Sequence, residues 1–156
     1  MIVYFLRHAD AEPDAARDFD RKLTVKGLEQ AEKAGKFFIR SGLIPSLILT
    51  SPVVRARQTA KIVARHLGDA DLVEERWLAC GMSPESCLRE LAPYFHHDSV
   101  LLVGHEPDFS ETISALVGLP DPARLHVRKA SLTAVDLTAL SPGAGHLEFL
   151  VPSRLM

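Results

Sequence analysis

Long apolar runs are missing from this chain, which removes the membrane-spanning classes first. The apolar run at the N-terminus, Ile2 to Leu6, is only five residues long, against the ~20 needed to cross a bilayer. No basic region or small-residue cleavage site accompanies it, so the sequence predicts no signal peptide and a cytoplasmic location. Cysteine is scarce: Cys80 and Cys87 are the only two. They form neither a C-x-x-C pair nor a Cys/His zinc spacing, which excludes a disulfide scaffold and a zinc-finger module. Isolated thiols of this kind suit a reducing compartment. Neither sign of charge dominates, with 18 Lys and Arg against 20 Asp and Glu and a net charge of −2. That balance leaves no footprint for nucleic acid, and any anion site must be local. Internal repeats and low-complexity segments are also missing.

What remains is an ordinary globular composition, 47% hydrophobic and 24% charged over 156 residues. The length predicts one domain, residues 1–156. Strand-like and helix-like segments alternate, which argues for a layered α/β domain. Ile2 to Leu6 reads as a buried strand, followed by a polar loop from Asp10 to Arg21. Thr24 caps a helix reaching about Arg40, with Leu28, Ala31, Gly35, Phe38 and Ile39 expected on its buried face. Leu47 to Leu49 is a second strand. Ser51-Pro52 then opens a helix to about Leu67, with the hydroxyl as cap, Pro at the first helical position and Arg55 about one turn in. Further on come a turn at Gly68 to Asp71, an edge strand at Asp71 to Glu75 and a helix from Ser83 or Pro84 to Tyr94. Val100 to Val103 is a strand, and a helix opens at Pro107 and runs to about Val117. Leu119 to Arg128 reads as a loop. Two closing strands, Ala134 to Leu137 and Leu147 to Val151, flank a turn at Ser141-Pro142-Gly143.

Three strands therefore end in chemically loaded residues: Arg7-His8, Thr50-Ser51 leading to Arg55, and Gly104-His105. In open α/β sheets ligands bind beyond the carboxyl ends of the strands. Parallel alignment would bring two guanidiniums and two imidazoles to one crevice. A helix amino terminus there adds oriented N–H groups. Such a pocket suits a phosphoryl dianion, because a guanidinium fork meets two oxygens at once. Cationic side chains can carry the charge that a metal would otherwise neutralise, so neither a metal nor a cofactor is called for. His66, His96, His97, His126 and His146 show no metal-like convergence. Taken singly, each residue has an ordinary reading: Arg7 and Arg55 as surface charges, His105 as a capping or core histidine, and Ser51 as a helix cap.

Four motifs in order resemble the histidine phosphatase superfamily, which includes phosphoglycerate mutases. They are Leu6-Arg7-His8-Ala9, Leu23-Thr24-x-x-Gly27-x-x-Gln30-Ala31, Ser51-Pro52-x-x-Arg55-Ala56-x-Gln58-Thr59 and Val103-Gly104-His105-x-Pro107. The compact size is similar to the SixA-type phosphohistidine phosphatases. The resemblance implies a three-layer, phosphoglycerate mutase-like domain, with a mostly parallel central sheet flanked by helices and no large cap insertion. It implies that His8 attacks phosphorus and becomes a phosphohistidine intermediate. Arg7, Arg55 and His105 would surround the phosphoryl oxygens, and Arg21 and Ser51 would add substrate contacts.

The departures are informative. Ala9 stands where Gly is common, tolerable if the backbone keeps a negative φ. The Asn that many relatives carry shortly after the nucleophile is missing at Pro13-Asp14-Ala15. The mid-chain Glu general acid of larger relatives is also missing at Trp77-Leu78-Ala79-Cys80-Gly81. Asp10 and Glu85 are fallback candidates without a motif behind them. A phosphorylated imidazole needs less leaving-group protonation than an ester, so the missing acid points to a phosphohistidine-bearing protein partner. A small phosphate ester and a non-catalytic phospho-binding module are the competing readings. Neither a nucleic-acid nor a membrane partner is expected.

Overall fold

In the computed structural model, residues 1–68 and 70–156 are described. One position of the turn expected over Gly68 to Asp71 lies outside them. Six strands form one sheet: β1 (Ile2–Arg7), β2 (Leu47–Thr50), β3 (Leu72–Glu74), β4 (Ser99–Gly104), β5 (Leu132–Leu137) and β6 (Gly145–Val151). Their order is β3-β2-β4-β1-β5-β6. The first four run parallel, while β5 pairs antiparallel with both β1 and β6. Four helices cover the sheet: α1 (Val25–Arg40), α2 (Val54–His66), α3 (Pro84–Leu91) and α4 (Asp108–Val117). This is the expected three-layer, mostly parallel α/β architecture. Between β3 and β4 only the eight-residue α3 and short turns are present, so no roof is inserted there.

Strand alternation builds the layers. Val3 and Phe5 of β1 face one way, joining Leu49 and Leu102 against Phe109, Ile113 and Leu116 of α4 and Leu91 of α3. Tyr4 and Leu6 face the other way, joining Ile48, Leu101 and Val103 against Phe38 of α1 and Ala60 and Val63 of α2. A period of two on a strand buried on both faces produces two cores from one apolar run. Phe5 and Phe109 meet edge to face, ring centroids 5.2 Å apart. Gly104 makes room for that ring, since a Cβ there would lie 2.7 Å from it.

Helices α1, α2 and α4 depart from the sequence reading. Thr24 caps α1 as expected, accepting from the Gly27 N–H at 3.0 Å, but Leu28 and Ile39 are exposed. The buried stripe is Gly27, Ala31, Ala34, Gly35 and Phe38. Small residues form this seam because α1 lies close to its neighbours, and an apolarity pattern that favours large side chains misplaces it. A Cβ on Gly27 would fall 1.9 Å from the Asp10 carbonyl, so glycine lets α1 press against the loop that follows β1. α2 begins at Val54 with Val53 as its cap residue, not at Ser51-Pro52. The Ser51 hydroxyl accepts from the Val53 N–H at 3.2 Å, which makes a local turn rather than a helix cap. Arg55 is therefore the second helical residue rather than one turn in. α4 likewise starts at Asp108, one residue after Pro107. No helix among the described residues is long and apolar enough to cross a membrane.

Candidate functional site

Backbone pairing carries the three strand ends past their last ladder residues. Arg7 is opposite Gly104. The His8 N–H donates to the Gly104 carbonyl at 2.9 Å, and the Ser51 N–H donates to the Val103 carbonyl at 2.9 Å. His8, Ser51 and His105 consequently emerge side by side at the carboxyl edge of β1, β2 and β4. All three are buried, as is Arg55.

The tautomer of His8 follows from its partners. Nδ1 lies 2.7 Å from the Ala9 carbonyl, which can only accept, so Nδ1 carries the proton. Nε2 is then a lone-pair nitrogen, and the Arg55 Nε–H donates to it at 3.2 Å. Burial pushes the His8 imidazole down to about 3, with the charges of His105, Arg55 and Arg7 acting in the same direction. The ring is neutral at physiological pH and has one basic nitrogen available. Ala9 keeps an ordinary backbone, as Ala130 is the only non-glycine residue with positive φ among those described.

Arg55 connects this imidazole to an anion. Its Nη2 donates to Asp18 Oδ2 at 3.0 Å and its Nη1 to the Asp18 carbonyl at 2.9 Å. Arg21 lies 3.2 Å from Asp18 Oδ1. The Asp18 carboxyl loses solvation here, but Arg55 and Arg21 hold it below the usual carboxylate range. Nothing in the sequence pattern singled out Asp18, which sits in an irregular loop with a 3-10 turn at Asp18–Asp20. Cys80 is a second unforeseen neighbour, with Sγ 3.7 Å from Arg55 Nη2.

His105 lies 5.2 Å from His8, centroid to centroid. Its Nε2 is 2.8 Å from the Ser51 hydroxyl, while its Nδ1 is buried without a partner. Burial, followed by the charge of Arg55, pushes this ring down to about 4. Ser51 is thus a neighbour of His105 and not the helix cap its position suggested. Arg7 donates from Nη1 to the Val127 carbonyl at 2.9 Å, and its Nε is buried and unpartnered. A buried donor without a partner normally has one in the functional state.

The remaining motif residues hold the loop that carries Asp18 and Arg21. The Thr59 hydroxyl accepts from the Ala9 N–H at 3.1 Å and donates to the Arg55 carbonyl at 2.8 Å. Gln30 accepts from the Asp10 N–H at 2.9 Å, and Gln58 from the Leu23 N–H at 2.8 Å. Three side chains from two helices satisfy backbone that has no sheet partner.

The fallback acids do not enter this network. Asp10 is tied to Lys129 at 2.6 Å and to the Thr24 hydroxyl at 2.8 Å, and those bonds keep it ionised. Glu85 is exposed in the first turn of α3, with its carboxyl below the usual range because of local hydrogen bonds. Glu106 is different: it is partly buried beside His105, and burial raises its carboxyl above the ordinary range although Arg7 opposes the shift. Among the described residues no three His, Cys, Asp or Glu side chains gather as a metal site. A hollow of about 610 Å³ beside Leu28, Ile62 and Leu72 lies on the outer side of α2, away from this chemistry.

A neutral imidazole nitrogen, a guanidinium already holding a carboxylate and a second buried imidazole define a site for an oxyanion against a basic nitrogen. The model of the histidine phosphatase superfamily (branch 1) matches residues 3–80. A phosphohistidine phosphatase SixA homolog of Haemophilus influenzae is 32% identical over 133 residues, 78% of this chain and 80% of that protein. An uncharacterized protein of Picosynechococcus sp. is 33% identical over 140 residues, 85% of this chain and 82% of its own. A crystal structure from Agrobacterium tumefaciens assigned to SixA superposes with a TM-score of 0.83 at 29% identity, covering 97% of both chains. The chain belongs to the histidine phosphatase superfamily.

Proposed function

We propose that this protein, acting as one domain over residues 1–156, is a metal-independent phosphatase. Its substrate is protein phosphohistidine, and it works through a covalent intermediate on His8. The observation that carries the reading is Arg55, which touches the His8 lone-pair nitrogen and a carboxylate at once. A phosphoryl group replacing that carboxylate would sit against the nitrogen that attacks it.

In the first step His8 Nε2 forms a bond to phosphorus as the bond to the substrate imidazole breaks, and the departing nitrogen takes a proton from solvent. Water then attacks phosphorus, the bond to His8 breaks, and inorganic phosphate leaves. Arg7, Arg55 and His105 take up charge on the phosphoryl oxygens, with Arg21 as a further contact and Ser51 orienting His105. The likeness to SixA proteins supports phosphohistidine as substrate, as does the shortage of acids at the mid-chain stretch. Hydrolysis of a small phosphate ester is a second reading, favoured by the raised carboxyl of Glu106.

The test is phosphate release in the presence of EDTA from a phosphohistidine-bearing carrier protein and from a panel of sugar and nucleotide phosphates, with His8→Ala as control. Fast release from the carrier, slow release from the esters and none from His8→Ala supports the proposal. Preference for an ester moves the assignment to the second reading. Anion binding without turnover on either substrate leaves a phospho-binding module.

A further inference from the structure

Arg7 has a second face. Besides flanking His8, it lines a trough of about 440 Å³ whose other walls include Lys26, Arg128, Lys129 and Arg154, with Asp10 as the one carboxylate. Asp10 is already occupied by Lys129 and Thr24. Among the described residues, Lys26, Arg128 and Arg154 have no carboxylate within ion-pairing distance, and all three are exposed. A second hollow of about 230 Å³ continues from the first, sharing Lys26 and Arg154 and adding Lys33 together with one carboxylate, Glu29. The chain as a whole carries a net charge of −2, so this concentration of unpaired cations beside one catalytic candidate is a local segregation of charge.

We infer that this trough is a docking site for acidic residues flanking the phosphohistidine on a partner protein; the inference rests on the phosphatase reading above. Three features favour a protein surface over a second phosphate on a small molecule. The cations sit at the ends of long exposed side chains rather than in a buried cradle. They extend away from Arg7 along α1 through two connected hollows, further than one phosphate group spans. No buried polar cage converges on a single point within it. Like-charged groups around an open groove steer an oppositely charged surface and fix its register.

The experiment compares the wild-type protein with Arg128→Glu/Arg154→Glu. Binding of a fluorescein-labelled Asp/Glu-rich peptide is read by anisotropy at low and high salt. Turnover is read on a phosphohistidine carrier protein and on phosphoimidazole, and circular dichroism checks that the variant is folded. The expected result is peptide binding at low salt that the variant weakens roughly tenfold or more. On the carrier, kcat/KM should fall by a similar factor through KM, and the loss should shrink at high salt. Hydrolysis of phosphoimidazole should be unchanged. No peptide binding at low salt, or a folded variant that matches wild type on peptide and carrier, overturns the proposal. So does inorganic pyrophosphate displacing the peptide at far lower concentration than unlabelled peptide does, which assigns the trough to a second phosphate. If the wild-type protein turns over no phosphoprotein, the phosphohistidine reading fails, and the peptide arm alone decides the trough.

Discussion

Arg55 donates its Nε–H to the lone-pair nitrogen of His8 across 3.2 Å, although the two stand 47 residues apart. The guanidinium has two other nitrogens, and both are engaged by Asp18. One planar group therefore orients the proposed nucleophile and measures the distance to an anion. Replacing Arg55 by Lys keeps the charge but loses the fork. Single-turnover kinetics should show Arg55→Lys slowed roughly 10²- to 10³-fold in the phosphoryl-transfer step. A variant with wild-type rates would remove Arg55 from the mechanism.

On the proposed mechanism, Asp18 holds the guanidinium that the substrate's phosphoryl group would need. Asp18→Asn removes that carboxylate, so inorganic phosphate should inhibit the variant at several-fold lower concentration than it inhibits the native protein. The side chain is 66% exposed, so little loss of stability should accompany the change. Weaker phosphate inhibition would mean that Asp18 is needed to hold Arg55 in place.

The two buried imidazoles carry a pH signature. Their folded values, about 3 for His8 and about 4 for His105, lie below the ordinary 6.5. Below pH 6.5 the unfolded chain binds more protons than the folded one, so stability is full above that pH and falls as the pH drops towards 4 and then 3. Thermal unfolding should show Tm declining across this window, and His105→Gln should flatten the decline. Turnover, corrected for acid lability of the substrate, should persist below pH 6.5 because His8 stays neutral there.

Thr59 is fully buried and bridges the Ala9 N–H to the Arg55 carbonyl. Thr59→Val keeps the shape and strands a buried N–H, at a cost of about 1–3 kcal/mol. Chemical denaturation should register that loss, and Thr59→Ser should restore most of it.

Glu106 separates the two substrate readings. If its raised carboxyl supplies a proton, Glu106→Gln should slow ester hydrolysis by roughly 10²-fold or more, while phosphoimidazole hydrolysis changes little. Equal effects on both substrates would make Glu106 a support for Arg7 rather than an acid.

The legible parts of this molecule were those where a periodic pattern stops at a polar residue. β1 and β4 end in Arg7-His8 and Gly104-His105 because apolar alternation gives way to charge at the sheet edge. Such a break is visible in the sequence. On α1 the sequence pattern places Ala31, Gly35 and Phe38 correctly but takes Leu28 and Ile39 for buried in place of Gly27 and Ala34, small residues that hydropathy undervalues. Ser51-Pro52 looked like a helix start because the same residue types also make the turn that takes the chain out of β2. Asp18 and Glu106 belong to no periodic element, and only the folded chain brings them to Arg55 and Arg7. The polar loop from Asp10 to Arg21 was recognisable as a loop, but not as one held by Gln30, Gln58 and Thr59.

β1 is central in space and first in sequence, with its partners β4 at residues 99–104 and β5 at 132–137. The stretch matched by the family model, residues 3–80, therefore contains His8, Arg55 and Asp18 but neither flanking strand of β1. It also lacks His105 and the Val127 carbonyl that takes a hydrogen bond from Arg7. During synthesis the proposed site cannot be complete until His105 and Val127 have emerged, well after the residues that carry the family signature. A nascent or truncated chain that already displays the signature residues would be chemically silent.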